Sequence, residues 1–307
     1  MILVTGATGF VGSHVVRRLV KTPGMQVRAM VRSSSRAGAL DGAEIAGALQ
    51  GAETVVADVT LPETLPQALA GVDRIVHAAA ITGNLKEPYR GAYDRINRVG
   101  TENLMKAAAA AGVSRVVVMS GLGTQPAAAG TYMATRWGLE EAVRNSGIRF
   151  VILQPSVLFG DGAEFVSALA RLARTSPVLP LLGGGSLRFQ PLWIEDLVSC
   201  LALALDADRH DGRAIPLGGS EYASFKEVIQ TICAAIGVRR LMVPLPLAIA
   251  KLQAAMMAAV LPHPPLTPAA LELFAFDNAT LLDAVDREFG FHARGFREHL
   301  KAHGIDG

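Results

Sequence analysis

The chain has 307 residues, including 31 Gly and 16 Pro, a length that can bury a large core as one large domain or two coupled ones. Half of the residues are hydrophobic and 18% are charged, a globular composition that excludes an intrinsically disordered chain. The net charge is only +2 and the arginines are scattered, so the basic stripe of a nucleic-acid binder is missing and nucleic acid is not an expected partner.

In chain order, Ile2–Thr5 reads as a short apolar strand and Val11–Lys21 as a helix. Strands follow at Gln26–Val31, Glu53–Ala57 and Arg74–Ala79, then a long helix at about Tyr93–Ala111. Arg115–Met119 is a fifth strand, Thr131–Ser146 a helix and Arg149–Leu153 a sixth strand. Strands apolar on both faces and separated by helices predict a Rossmann-type, doubly wound parallel sheet. Beyond it, Leu187–Leu192 reads as a strand, Ile194–Leu205 as a helix and Ala214–Leu217 as a short strand. Helices are then expected at Phe225–Ile236, Leu247–Leu261, Pro268–Phe276, Thr280–Phe289 and Phe296–His303. The expected division is a dinucleotide-binding domain of residues 1–160 plus about 187–205, and a smaller, mostly helical C-terminal lobe of about 161–186 and 206–307 for substrate or partner.

Three features bound the setting. Cys200 and Cys233 lie in apolar helical stretches and read as buried free thiols. The seven histidines are dispersed, and no metal site is expected. Met1-Ile2-Leu3-Val4 runs straight into the first strand, which implies no signal peptide and a cytoplasmic protein. The apolar stretch Leu247–Leu261, interrupted by Lys251 and Gln253, is too short to span a bilayer. It reads first as a buried core helix, and otherwise as a peripheral membrane or partner contact.

The turn Gly6-Ala7-Thr8-Gly9-Phe10-Val11-Gly12 sits between the first strand and the first helix. In that context the three glycines permit a tight turn, close approach of backbone to a pyrophosphate, and packing of helix on strand. The free amides near Phe10 and Val11 would face the phosphates. After the second strand come Arg32, Ser33, Ser34, Ser35 and Arg36 where an acidic residue would select NAD. Two guanidinium groups and hydroxyls suit the 2′-phosphate of NADP, with NAD left open. Asp58 is placed either to meet the adenine amino group or to cap the helix near Leu61–Leu69.

These pieces, together with Asp58-Val59, His77-Ala78-Ala79-Ala80, Asn97-Arg98-Val99-Gly100-Thr101, Tyr132-x-x-x-Arg136 and Gln154-Pro155-Ser156-Val157, resemble the extended or atypical short-chain dehydrogenase/reductases. The stretches Arg188-Phe189-Gln190-Pro191-Leu192-Trp193 and Leu261–Thr267, with Asp277-Asn278, are similar to the subgroup that holds the nucleotide-binding accessory subunit of respiratory complex I. The resemblance implies a bound NAD(P)H lined by Gly6, Thr8, Gly9, Phe10, Val11, Gly12, Arg32, Ser33, Arg36, Asp58, Val59, Ala78, Ala79, Ala80, Asn97, Tyr132, Arg136, Pro155 and Val157. It also implies a monomer or a homodimer.

In that family a Tyr is the general acid/base and a Lys one helical turn later supports it, the i, i+4 spacing placing both on one face. Here Tyr132 keeps the first role and Arg136 replaces the Lys. The family's Ser or Thr position after the fifth strand falls on Gly121, with Ser120 or Thr124 as substitutes. Two readings follow. One is an NADP-dependent oxidoreductase or isomerase on a small apolar carbonyl or alcohol, using Tyr132, Arg136 and Ser120. The other is a non-catalytic dinucleotide-binding module that serves a protein or membrane partner. Asn97 and His77 read as structural residues.

Overall fold

The computed structural model describes residues 1–32, 47–262, 264 and 266–305. In chain order the elements begin with β1 (Ile2–Thr5), α1 (Phe10–Val20), β2 (Val27–Val31), β3 (Glu53–Val56), α2 (Leu65–Leu69) and β4 (Arg74–His77). A π-helical turn at Asp94–Val99 leads into α3 (Gly100–Ala110), followed by β5 (Arg115–Met119), α4 (Tyr132–Arg144), β6 (Arg149–Pro155) and β7 (Leu158–Phe159). Next come α5 (Glu164–Thr175), β8 (Val178–Leu182), β9 (Arg188–Phe189), β10 (Leu192–Trp193), α6 (Ile194–Ala204) and β11 (Arg213–Leu217). The chain ends with β12 (Ala223–Ser224), α7 (Phe225–Ala235), β13 (Leu241–Leu245), α8 (Leu247–Val260), α9 (Pro268–Glu272), α10 (Ala284–Phe289) and α11 (Phe296–His303).

The chain folds into two compact units. The first comprises residues 1–81, 87–154 and 198–215; the second comprises 82–86, 155–197 and 216–307. The return to the first unit therefore begins at Val198, not near residue 187, and the first crossing falls at Gln154.

The seven-stranded sheet runs β11-β6-β5-β4-β1-β2-β3, and the pairs from β6 through β3 are parallel. Its first six strands in sequence have the order of a doubly wound dinucleotide fold, in which the reversal lies between β1 and β4. Leu3, Ile75, Val116, Val118 and Ile152 are buried from these strands, and Leu104 and Leu139 pack on them from α3 and α4. At about 1.5–3 kcal/mol for each large aliphatic side chain removed from water, this layer is the main stabilising term of the unit.

The second unit has its own core, in which Phe189, Phe225 and Phe274 lie with ring centroids 5.1–5.6 Å apart. It is less purely helical than the sequence suggests, since it contains three two-stranded sheets: β10-β7, β12-β9 and β13-β8. The strand expected over Leu187–Leu192 is two short ones, because Pro191 has no amide to donate and Gln190 turns its side chain inward to Gly219, Leu281 and Thr280. The helix expected to be core at Leu247–Leu261 is not: only Ala250 and Ala254 of α8 are buried. Among the described residues no helix is long and apolar enough to cross a membrane.

Candidate functional site

The corner between β1 and α1 requires its glycines. Gly6 has φ +66°, and a Cβ there would stand 2.6 Å from the Ala78 carbonyl oxygen. A Cβ on Gly9 would meet the Gly6 oxygen at 3.2 Å, and one on Gly12 at 2.0 Å. These contacts are with backbone, which cannot step aside as a flexible side chain could. The Gly9 amide donates to the Gly6 carbonyl at 2.9 Å, which closes the turn around Thr8.

Gly9 is the N-cap of α1; no side chain caps the helix, and its first turn has no acidic residue. The amides of Phe10, Val11 and Gly12 therefore open a helix without intrahelical acceptors, a ready cradle for a diphosphate. The glycine cradle fits a dinucleotide.

The strand ends place the other predicted contacts. Ala78, Ala79 and Ala80 follow β4, where the Ala79 amide donates to Thr5 Oγ1 at 3.3 Å. Asn97 clamps the segment beyond them: its Oδ1 accepts from the Ile81 amide at 2.8 Å and its Nδ2 donates to the Ile81 carbonyl at 3.0 Å. His77 is buried between Thr5 and Thr101, at 2.7 and 2.9 Å, and burial pushes its pKa down to about 4. Both are thus structural supports of the loop. Asp58 Oδ1 accepts from the amide and hydroxyl of Thr60, both at 2.8 Å, a local cap. Its neighbour Val59 is buried. Arg32 is exposed directly after β2, while Ser33 and Arg36 lie outside the described residues. Pro155 and Val157 belong to the second unit, where the Val157 amide donates to Asn278 Oδ1 at 2.9 Å.

Tyr132 opens α4, capped by Thr131, whose hydroxyl accepts from the Ala134 amide at 3.2 Å. Arg136 lies one turn on, only 8% exposed, with its guanidinium carbon 5.9 Å from the Tyr132 ring centroid. Burial lowers its pKa; the charges of Tyr132 and Glu140 oppose that shift, and the group stays cationic at neutral pH.

The guanidinium occupies the space beside Gly121. A Cβ on Gly121 would be 2.0 Å from Arg136 Nη2 and 2.8 Å from Cζ. The absence of a side chain at 121 and the forked cation at 136 are therefore one arrangement.

Ser120 is committed elsewhere. Its hydroxyl donates to Glu140 Oε1 at 2.5 Å, and Thr124 donates its own proton to the Gly121 carbonyl. Glu140 is fully buried and also accepts from Gln154 Nε2 and Arg144 Nη2. The sequence reading missed this carboxylate. The available signal was its position one further turn along the Tyr132–Arg136 stripe. It also passed over His299-x-x-x-His303, whose rings stack with centroids 4.6 Å apart. Among the described residues no three His, Cys, Asp or Glu side chains gather to hold a metal.

The sheet order and the glycine corner define a dinucleotide-binding α/β protein. The family described as NAD(P)H-binding matches residues 6–172, and the chain belongs to that family. It is 30% identical to an NAD(P)H azoreductase of Xenophilus azovorans, over 99% of this chain and 98% of that protein. It is 25% identical to the mitochondrial NADH dehydrogenase [ubiquinone] 1 alpha subcomplex subunit 9 of Arabidopsis thaliana, over 82% of this chain. It spans 62% of that subunit, and less than two thirds of some other relatives. Among solved structures, Citrobacter sp. triphenylmethane reductase complexed with NADP(H) shares the fold with a TM-score of 0.74. Its identity is 22%, over 98% of this chain and 99% of that one.

Proposed function

We propose that the chain is an NADP-preferring oxidoreductase, or an isomerase working through the same hydride chemistry, on a small apolar carbonyl or alcohol. One observation carries the reading: a buried cation, Arg136, stands one helical turn from Tyr132 and fills the space beside Gly121, where the family resemblance implies a Ser or Thr. The azoreductase relative supports a reductase. Phe10, Val11 and Gly12 would hold the diphosphate, and Arg32 with Ser33 and Arg36 the 2′-phosphate. The dinucleotide, when bound, supplies or accepts the hydride. Tyr132 delivers a proton to the substrate oxygen, or takes one from it. Arg136 favours the phenolate by its charge and offers N–H donors to that oxygen, replacing the missing hydroxyl of residue 121.

The test is loss of NADPH absorbance across a panel of apolar carbonyl and azo compounds. Turnover should fall about 10²- to 10⁴-fold in Tyr132→Phe, while NADPH still raises the melting temperature. Absence of turnover across the panel, with that thermal shift intact, would refute the enzyme and favour the second reading, a non-catalytic module serving a protein partner. That reading is favoured by the Ser120 hydroxyl, whose single proton is already given to Glu140, and by the relative that is a subunit of a larger complex.

A further inference from the structure

The outer face of α8 is apolar and uncovered. On a helix of this period, Ala248, Ile249, Leu252, Ala255, Met256, Ala259 and Val260 fall on the side opposite Ala250 and Ala254, the two buried positions. Leu252 is 64% exposed, Met256 63% and Val260 81%. Only Lys251 and Gln253 flank this stripe with polar groups. Scattered exposed aliphatics need no explanation, but a contiguous stripe of them marks an interaction surface.

The charge around the stripe has one sign. From Val228 to Leu271 the sequence contains no Asp or Glu, while Arg239, Arg240 and Lys251 all lie in that interval. Within the same unit, Lys226, Arg239 and Arg240 join Leu241, Met242 and Pro244 in lining an open cleft of about 810 Å³. The cleft adjoins the start of α8: Gly184 lines it, and Leu247 lies 3.5 Å from where a Cβ on neighbouring Gly183 would stand. Leu241 and Val243 of β13 are exposed as well.

We propose that α8 and this basic cleft dock the chain on an anionic phospholipid surface, with α8 lying in the plane of the headgroups. The helix has 14 residues, about 21 Å of length at 1.5 Å per residue, too short to cross a hydrocarbon core of about 30 Å. In a free amphipathic helix the polar face meets water. Here the opposite stripe packs into the protein, so the only unsatisfied surface is the apolar one. A second copy docked through this face would offer no Asp or Glu from 228–271 to meet Lys251, Arg239 and Arg240. A shape-specific protein interface draws on aromatic anchors, and α8 has none. Leu, Ile, Met and Val enter acyl chains without a directional partner, and the cations meet lipid phosphates.

The experiment is co-sedimentation of the full chain with phosphatidylcholine vesicles and with vesicles of phosphatidylcholine mixed with phosphatidylglycerol. Wild type should pellet with the anionic vesicles, less so as salt is raised, and largely stay in solution with the neutral ones. The pair Leu252→Glu and Met256→Glu should lower the partition coefficient by about a hundred-fold, given the burial worth of two such side chains. The pair Arg239→Gln and Lys251→Gln should lower it about twenty-five-fold on anionic vesicles, at about five-fold per cation. These side chains are exposed, so circular-dichroism melting of each variant should match wild type. Wild type that remains in the supernatant with anionic vesicles would overturn the proposal. So would binding unchanged by the two glutamates, or a dimer in size-exclusion chromatography that those glutamates dissociate without any wild-type binding to vesicles. The dependence of wild type on lipid charge and salt is read without any variant.

Discussion

The pairing of Gly121 with Arg136 can be tested by placing at 121 the hydroxyl side chain that the family resemblance implies. In Gly121→Ser the new Cβ would lie 2.0 Å from Arg136 Nη2, against the 3.0 Å below which real Cβ contacts are essentially never found, so the guanidinium must withdraw by at least 1.0 Å (3.0 − 2.0). Gly121 is not among the positive-φ glycines, so its backbone accepts a side chain and the penalty is one of space. The clashing atoms are the end of a flexible side chain, but Arg136 is buried, so it withdraws among packed neighbours. Overpacking of this kind costs about 1–3 kcal/mol, which corresponds to a melting temperature lower by on the order of 5 °C in a chain of this size. Arg136→Lys removes the fork that fills the space and keeps the cation. In that background Gly121→Ser should cost almost nothing, giving a coupling of about 1–3 kcal/mol between the two sites. Thermal denaturation of wild type, both single variants and the double variant completes the cycle. Under the enzyme reading, the double variant should also turn over at least as fast as wild type, because it carries hydroxyl, phenol and ammonium together. An equal loss of stability from Gly121→Ser in both backgrounds would refute the coupling.

His77 has a folded-state pKa of about 4 against 6.5 for the free group. The unfolded chain therefore binds a proton first as pH falls. The contribution of neutral His77 is complete above pH 6.5 and is lost between 6.5 and about 4, amounting to about 3 kcal/mol. His77→Gln should flatten that part of the plot of urea midpoint against pH, and an unchanged slope would count against the assignment. Gly12→Ala drives a Cβ to 2.0 Å from the Gly6 oxygen; it should abolish the rise in melting temperature caused by NADPH, measured by differential scanning fluorimetry. Arg32→Asp should shift preference from NADP toward NAD by at least ten-fold in Kd, by loss of a charge-assisted contact and repulsion of the 2′-phosphate; equal affinities before and after would show that Arg32 does not select the cofactor.

What the sequence made legible follows from how local each signal is. β1 and β5 occupy the spans expected, Ile2–Thr5 and Arg115–Met119, because strands buried on both faces leave unbroken apolar runs. The glycine corner was legible because the constraints on Gly9 and Gly12 are local, within seven residues of Thr5, although that on Gly6 comes from Ala78. Signals spread across the chain were harder to read. β8 and β13 pair in parallel through Pro180 and Pro244, and a proline inside an apolar run argues against a strand unless the run sits at an edge. α5 lies in a stretch to which the sequence reading assigns no element, although Phe165, Val166, Leu169, Ala170 and Ala173 recur there at helical spacing.

The candidate site shows the same limit more sharply. Read along the chain, Gly121 and Arg136 are two separate departures from a catalytic pattern, and each alone subtracts from the case for chemistry. Seen in space, the guanidinium fills the volume the glycine leaves, so under the enzyme reading the two departures do not add. Ser120 moves the opposite way: a hydroxyl at a promising sequence position is drawn off by Glu140, a buried carboxylate whose three partners come from just after β5, from α4 and from β6. Sequence proximity to a motif identifies the residue types available for chemistry. Which of them keeps a free proton is decided by neighbours that only the folded chain brings together, and here that argument favours the cation at 136 over the hydroxyl at 120.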